Sequence, residues 1–181
     1  GKATRLLDWF HDLPKIYQAD VLFGQDSDTY DMEGKIVVNK QAKSFTKEKL
    51  EEILNNFLGK QNQVAPIYSA KKVAGQKLYK LARAGKPVKA PSKEIEIHEL
   101  KINKFKYPNL NLLVSASAGT YIRSLAHDLG QAMETGAMLS GLKRIAIGDF
   151  SVKNALALEE VDKTSLAKNK LAVQEVIDII N

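Results

Sequence analysis

From Lys93 to Tyr107 the sequence reads KEIEIHELKINKFKY, with charged and apolar residues alternating along its length. No other stretch limits the possible folds so tightly. A period of two sends successive side chains to opposite faces, so this is a long strand with one exposed face. PNLNLLVSAS follows at once and reads as a strand pairing back with it. TYIRSLAHDLGQAM then has the spacing of a helix, and GLKRIAIGDF reads as a further strand.

The first third of the chain supplies similar pieces. TRLLDWFHDL has helical spacing, with Leu6, Leu7, Phe10 and Leu13 on or near one stripe. KIYQADVLFG alternates, and the face carrying Tyr17, Ala19, Val21 and Phe23 is the more apolar one. GQDSDTYDMEGK is turn-rich and KIVV resumes a strand. SFTKEKLEEILNNFLGK is the clearest helix. It has Ser44 or Thr46 as cap, Leu50, Ile53, Leu54, Phe57 and Leu58 as its apolar face, and Gly59 as its stop. Strands and helices mix without a regular βαβ rhythm. The expected class is α+β: a mixed, largely antiparallel sheet with flanking helices.

From Gln61 to about Pro91 the character changes. No acid occurs between Gln61 and Ser92, while Lys71, Lys72, Lys77, Lys80, Arg83, Lys86 and Lys89 all fall there. This reads as a basic inserted subdomain with a short helix of its own, QKLYKLARAG, ended by Gly85. Two weak helical patterns close the chain. The expected domains are therefore 1–150, with the insertion at about 61–91, and a short helical extension at 151–181.

The 181 residues hold 27 Lys and Arg against 21 Asp and Glu, a net charge of +6, which favours an anionic partner such as nucleic acid. The absence of cysteine excludes disulfides and thiolate metal sites and favours an intracellular, cytoplasmic chain. DSDTYDMEG fails as a calcium loop, because Asp31 stands where glycine is required and Val37 where a bidentate Glu belongs. GKPV has no P-loop spacing, and His11, His98 and His127 have no ligand spacing. SASAG before a helix resembles a nucleophile elbow, but no histidine follows His127, which lies on that same helix.

One residue resists a bland account. Arg123 lies one turn into the TYIRSLAHDLGQAM helix, among Tyr121, Ile122 and Leu125. On the helix alone, a snorkelling side chain explains it. In company with the other segments it resembles part of a known pattern. GKATRLL, KIYQADVLFGQDSDTYDMEG, APIYSAKKVAGQKLYKLARAG, SAGTYIRSLAHDLG and GAMLSGLKRIAIGDF resemble, in order, the motifs of the bacterial TruB-type tRNA pseudouridine synthases, relatives of the dyskerin family. The resemblance runs from Gly1 to about Phe150 and implies the pseudouridine synthase fold.

The resemblance also implies roles. Arg123 matches the arginine that pairs with the catalytic aspartate; its charge is permanent, its planar fork can grip a carboxylate, and its proximity keeps the acid ionised. Tyr17 matches the tyrosine that stacks on the target base and is implicated in removing the C5 proton; alternation alone makes it an ordinary strand tyrosine. Leu142 matches an apolar residue of the base pocket; without the resemblance it is plain core. The insertion matches one that grips the T-arm of tRNA. Lys71, Lys72, Lys77 and Arg83 would neutralise phosphates there, and Tyr68 or Tyr79 offers a stacking ring. Tyr121, Lys143 and Arg144 would join the RNA face near the pocket. The alternative for the lysines is a solvated surface. The implied reaction is conversion of a flipped T-arm uridine of tRNA (position 55) to pseudouridine, with no cofactor and no metal. The implied partner is tRNA, and the implied state a monomer.

The sequence departs from the family pattern at one important place. The family's nucleophile lies in a G-x-L-D-P-x-A-T-G-L-L motif immediately before the segment with which this sequence opens, and no aspartate here has the L-D-P context. Asp8, in LLDWF, belongs to the following helix. The expectation is that the nucleophile lies upstream of Gly1 in a truncated sequence, or in another chain, or that this is an inactive fragment, and that these 181 residues alone do not isomerise uridine. A non-catalytic RNA-binding module is the rival reading. Ala65 for the first proline of P-P-x-Y and Lys143 for the first arginine of L-R-R are minor departures. The shortness of the segment after Phe150 implies that the C-terminal RNA-binding domain of some relatives is absent or reduced.

Overall fold

A computed structural model describes residue 4 and residues 7–69, 71–73, 76–78, 90–172 and 175–177. The long alternating stretch is a fifteen-residue strand, Ser92–Lys106, that pairs antiparallel with Asn109–Ala116. The elements in chain order are α1 (Leu7–Asp12), β1 (Lys15–Phe23), β2 (Gln25–Ser27), β3 (Ile36–Val38), α2 (Lys47–Asn55) and β4 (Gly59–Val64). They continue with β5 (Lys72–Val73), β6 (Gln76–Lys77), β7 (Ser92–Lys106), β8 (Asn109–Ala116), α3 (Ile122–Ala132), β9 (Ala137–Ile147), β10 (Phe150–Ser151) and α4 (Lys163–Lys168).

Among the described residues six strands form the main sheet in the order β10-β9-β1-β8-β7-β4, and each neighbouring pair is antiparallel. A parallel bridge joins Asp31, outside the strands, to Leu139 of β9. β1 is central, and every second residue from Ala19 to Phe23 is buried, as its alternation requires. Ile95 and Ile97 of β7 and Leu110, Leu112 and Val114 of β8 turn to the same side. There they meet Leu50 and Leu54 of α2 and Ile122, Leu125, Ala126 and Leu129 of α3. α3 lies so close to β9 that a Cβ added at Gly130 would fall 2.0 Å from the Ala137 nitrogen.

Several elements differ from the sequence reading. The second helix stops at Asn55, and the Asn56 N–H turns back to the carbonyls of Ile53 and Leu54 in a tightened last turn. Phe57 still packs on the core, but Leu58 is largely exposed. Gly59, with φ of +85°, opens a strand rather than closing the helix. Gln61–Val64 belong to β4 of the main sheet, so the insertion begins only after Val64, and the Ala65 N–H to Pro91 carbonyl bond closes its base. Gln76 and Lys77 were expected in a helix; they form β6, in a ribbon with β5. The rest of that expected helix, with Tyr79, Lys80, Arg83, Lys86 and Lys89, lies outside the described residues. Among the described residues the stripe expected on the first helix is not core either: α1 buries no residue, Leu7 is exposed, and Phe10 leans on Phe150 with ring centroids 4.9 Å apart, while Leu6 lies outside the described residues. β9 starts at Ala137, four residues before the expected GLKRIAIGDF strand. After β10 the described chain forms two short 3₁₀ turns and then α4, whose N-terminus is capped by Asp162.

Candidate active site

The chain leaves β8, passes Gly119 in the left-handed region (φ +83°) and enters α3. Tyr121, at the N-cap, makes no side-chain cap bond. The buried side chain of Gln63, reaching across from β4, serves instead. Its Oε1 accepts from the Tyr121 N–H at 2.8 Å and its Nε2 donates to the Tyr121 carbonyl at 3.0 Å. This two-point clamp satisfies a donor that the helix itself leaves unpaired and fixes where α3 begins. Arg123 follows two residues later, so its guanidinium is placed from a fixed start.

That guanidinium is shared between two acceptors. Nη1 donates to Asp31 Oδ2 at 2.9 Å and Nη2 to the Tyr68 carbonyl at 2.5 Å. Asp31 is held in turn by the Thr29 hydroxyl at 2.6 Å and the Glu33 N–H at 3.1 Å, both on Oδ1. Burial pushes the Asp31 carboxyl up, but the bonds from Thr29, Arg123 and Glu33 outweigh it and hold it below the ordinary value. Asp31 is an anion beside a cation.

The turn carrying Asp31 is braced from behind. Tyr30 has φ of 65°, unusual for a residue with a side chain. Its ring stacks on His127 of α3 at 3.9 Å between centroids, and its carbonyl accepts from the Leu139 N–H at 2.9 Å. His127 Nδ1 lies 3.0 Å from Asp26 Oδ1, and Gln131 Nε2 donates to Asp26 Oδ2 at 3.2 Å. The helix that presents Arg123 therefore also grips the turn that presents Asp31.

Above this pair lies a cavity of about 460 Å³, lined by Tyr17, Asp31, Tyr121, Arg123, Leu139 and Leu142 among others. Its size is that of a small-molecule site, with apolar walls and a few convergent polar groups. Tyr17 packs partly on the core, while Leu142 is 49 % exposed at the mouth. Arg123, Tyr17, Leu142 and Tyr121, each singled out in the sequence, thus meet at one place.

The other expected residues do not all join them. Arg144 pairs in register with Tyr17, and Leu142 with Ala19, so both lie on the cavity's face of the sheet. Lys143 pairs with Gln18 and lies on the reverse face, because adjacent strand residues point opposite ways. Tyr68 contributes its carbonyl to Arg123. Lys71 is half-buried, and Lys72 stands opposite Lys77 in the β5–β6 ribbon. Tyr79 and Arg83 lie outside the described residues. Asp31 and Gln63 escaped the sequence reading. The pattern S-D-T-Y-D, quoted there as a turn, was the available signal for Asp31; nothing local marks Gln63.

Comparison with known proteins sets this geometry in context. The fold is shared with a Cbf5-Nop10-Gar1 complex, at a TM-score of 0.66 and 22% identity over 92% of this chain and 41% of that one. It is also shared with an H/ACA RNP bound to a substrate RNA containing 2'-deoxyuridine, at a TM-score of 0.61 and 18% identity over 96% and 42% of the two chains. These structures share the fold; the class, that of the pseudouridylate synthases, is set by the families whose patterns the chain matches. Within it, the chain belongs to the TruB family: residues 1–122 match the TruB family pseudouridylate synthase N-terminal domain, and residues 123–180 the tRNA pseudouridylate synthase B C-terminal domain. The two matches meet at the start of α3, although β1 pairs with both β8 before that point and β9 after it.

Similar curated proteins are tRNA pseudouridine synthase B of Clostridium perfringens, 35% identical over 98% of this chain and 61% of that protein, and of Caldanaerobacter subterraneus, 40% identical over 89% and 57%. The Clostridium acetobutylicum protein of the same name is 38% identical over 98% of this chain and 61% of that protein. The chain spans about three fifths of the length of these relatives.

Proposed function

We propose that this chain is the base-positioning part of a tRNA pseudouridine synthase acting on the T-arm uridine. The observation that carries the proposal is the convergence of Tyr17, Tyr121, Arg123 and Leu142, from three separate segments, on one cavity. The target uridine leaves its stack at a cost of a few kcal/mol, offset by contacts in the pocket. Tyr17 stacks on the base and Leu142 supplies an apolar wall. Arg123 has five N–H groups, of which two are engaged by the described residues, leaving donors for a second carboxylate. That carboxylate belongs to the family's Leu-Asp-Pro motif, a triplet these 181 residues do not contain.

The reaction is an isomerisation. The bond from C1′ to N1 breaks, the freed uracil turns, and a bond from C1′ to C5 forms. C5 gives up its proton, with Tyr17 placed to assist, and N1 ends carrying one. Atoms and electrons balance without a cofactor. Tyr68, Lys71, Lys72, Lys77, Tyr79 and Arg83 form the T-arm grip, and the protein acts as a cytoplasmic monomer.

The test joins this chain to an N-terminal segment carrying the family's Leu-Asp-Pro motif and uses a T-arm stem-loop labelled with tritium at C5 of uridine. Release of tritium, dependent on Arg123, is the expected result. Tight binding with no release would leave the chain an RNA-binding module that retains the fold.

A further inference from the structure

Asp20, on the reverse face of the sheet, sits in a network that the base cavity does not use. It pairs in register with Asn111 of β8, which stands opposite Lys104 of β7. The Asn111 amide donates to Asp20 Oδ1 at 2.6 Å, and the Asn111 oxygen accepts from Asn103 at 3.0 Å and Gln18 at 3.4 Å. A register shift between Ile102 and Lys104 adds a residue to β7 and so puts Asn103 and Lys104 on one face. Asp20 Oδ2 takes no hydrogen bond among the described residues. Here lies a second cavity, of about 470 Å³, bordered by Asp20, Lys104, Lys106, Asn109, Asn111 and Ser140.

Charge around it is unbalanced. Directly opposed residues share a face, so Lys101, across from Leu113, and Lys143, across from Gln18, join Lys104 and Lys106 there. On the described strands from Lys101 to Lys106 and across to Lys143, Asp20 is the one acid on this face; Glu96 and Glu99 lie towards the other end of β7. None of the four lysines forms an ion pair among the described residues. Such a face complements a polyanion.

The second cavity adjoins the first. Asp20 pairs with Gly141 and Val21 with Leu139, so Ser140 is an extra residue of β9, and it borders both cavities. Beyond the Asp31 bridge at Leu139, β10 covers β9 only at Ala146 and Ile147, which leaves Ser140 and Gly141 at the sheet's edge among the described residues. Glycine at 141 keeps that edge thin, since a Cβ there would fall 2.8 Å from Asp20 Oδ2. A polymer seated in the first cavity reaches the second by turning over this edge.

We infer that the second cavity holds the ribose–phosphate backbone next to the flipped uridine, with Lys104 and Lys106 meeting phosphates and Asp20 Oδ2 accepting from a ribose 2′-hydroxyl. The inference deepens the synthase reading above and rests on it. It also accounts for an acid among lysines: a carboxylate repels phosphate but accepts from a hydroxyl, and the 2′-hydroxyl is what marks RNA.

The experiment measures binding of the 181-residue chain to a T-arm stem-loop over a range of salt. Lys104→Gln with Lys106→Gln should reduce the slope of log K against log salt by about 1.4–1.8 and weaken binding ~10-fold at low salt. Lys47→Gln with Lys49→Gln alters exposed lysines of α2, which packs on the opposite face, and should leave the slope within about 0.5. A stem-loop with 2′-deoxy sugars flanking the target uridine should bind the unaltered chain ~10-fold more weakly than all-RNA, and Asp20→Asn should abolish that difference. The inference is overturned if the Lys104 and Lys106 variant keeps its slope, which gives the face to some other partner. It is overturned equally if the α2 variant loses as much, or if Asp20→Asn keeps the deoxy penalty. Should the unaltered chain bind an unrelated hairpin as tightly as the T-arm stem-loop, it is the T-arm reading that has failed, and the inference goes with it.

Discussion

Replacing Asp31 by Asn isolates the pair at the base of the cavity. The amide oxygen can still accept from Thr29 and Glu33, since both bonds fall on Oδ1. The amide nitrogen then takes the place of Oδ2 and points its hydrogens at Arg123 Nη1, donor against donor. One charge-assisted bond is lost, a loss of about 1.5–3 kcal/mol when the partner stays desolvated. The two side chains are 20% and 22% exposed, so water offsets part of this, and ~2 kcal/mol is the expected cost. For a chain of this size that lowers Tm by about 4–8 °C.

A double-mutant cycle with Arg123→Met should return a coupling of about 1–2 kcal/mol. The pH dependence has a definite sign. Asp31 titrates below its ordinary 3.8 in the folded state, so its contribution is complete above that value and is lost as pH falls through the folded one. The gap in Tm between the Asn variant and the unaltered protein should therefore be widest near neutral pH and close in acid. Differential scanning calorimetry over that range reads it directly. A coupling under roughly 0.3 kcal/mol, or a gap that widens in acid, would refute the reasoning.

Two further outcomes follow from the same geometry. Gln63→Leu removes both arms of the clamp on Tyr121 and should cost about 1–3 kcal/mol in urea unfolding; a change below roughly 0.5 kcal/mol would mean that α3 needs no external cap. Removing Lys71, Lys72 and Lys77 together should reduce the slope of log K against log salt by about 2–3 if each meets a phosphate; an unchanged slope in a filter-binding titration returns these lysines to the solvated surface.

Much of the fold is legible because its signals are local. The alternation of β1 and of the β7–β8 hairpin follows from a two-residue period in adjacent positions; the structure keeps it through the β1–β8 pairing and interrupts it in β7 only by register shifts between Ile97 and Glu99 and between Ile102 and Lys104. β4 was hidden because QNQV, at the sheet's edge, buries little beyond Gln63 and so shows no apolar period. The end of α2 was misread because Phe57 and Leu58 continue the helical spacing while the backbone has already turned. The site divides the same way. Arg123, Tyr17 and Leu142 stood out through the family pattern, but the Arg123–Asp31 contact spans 92 residues and the Gln63–Tyr121 clamp 58, and no local period encodes either. Lys143 and Arg144 look equivalent in sequence; only the pleat and register assign them to opposite faces.

The proposed function requires a forked cation at position 123 beneath the flipped base, and Arg123→Lys, in this chain joined to a segment carrying the Leu-Asp-Pro motif, addresses it most directly. Single-turnover pseudouridine formation and RNA affinity would be measured side by side on one T-arm stem-loop. A point charge cannot reproduce the fork, so the rate should fall by about 100-fold or more with affinity nearly unchanged. Equal losses in rate and affinity would make Arg123 an ordinary RNA contact and contradict the account.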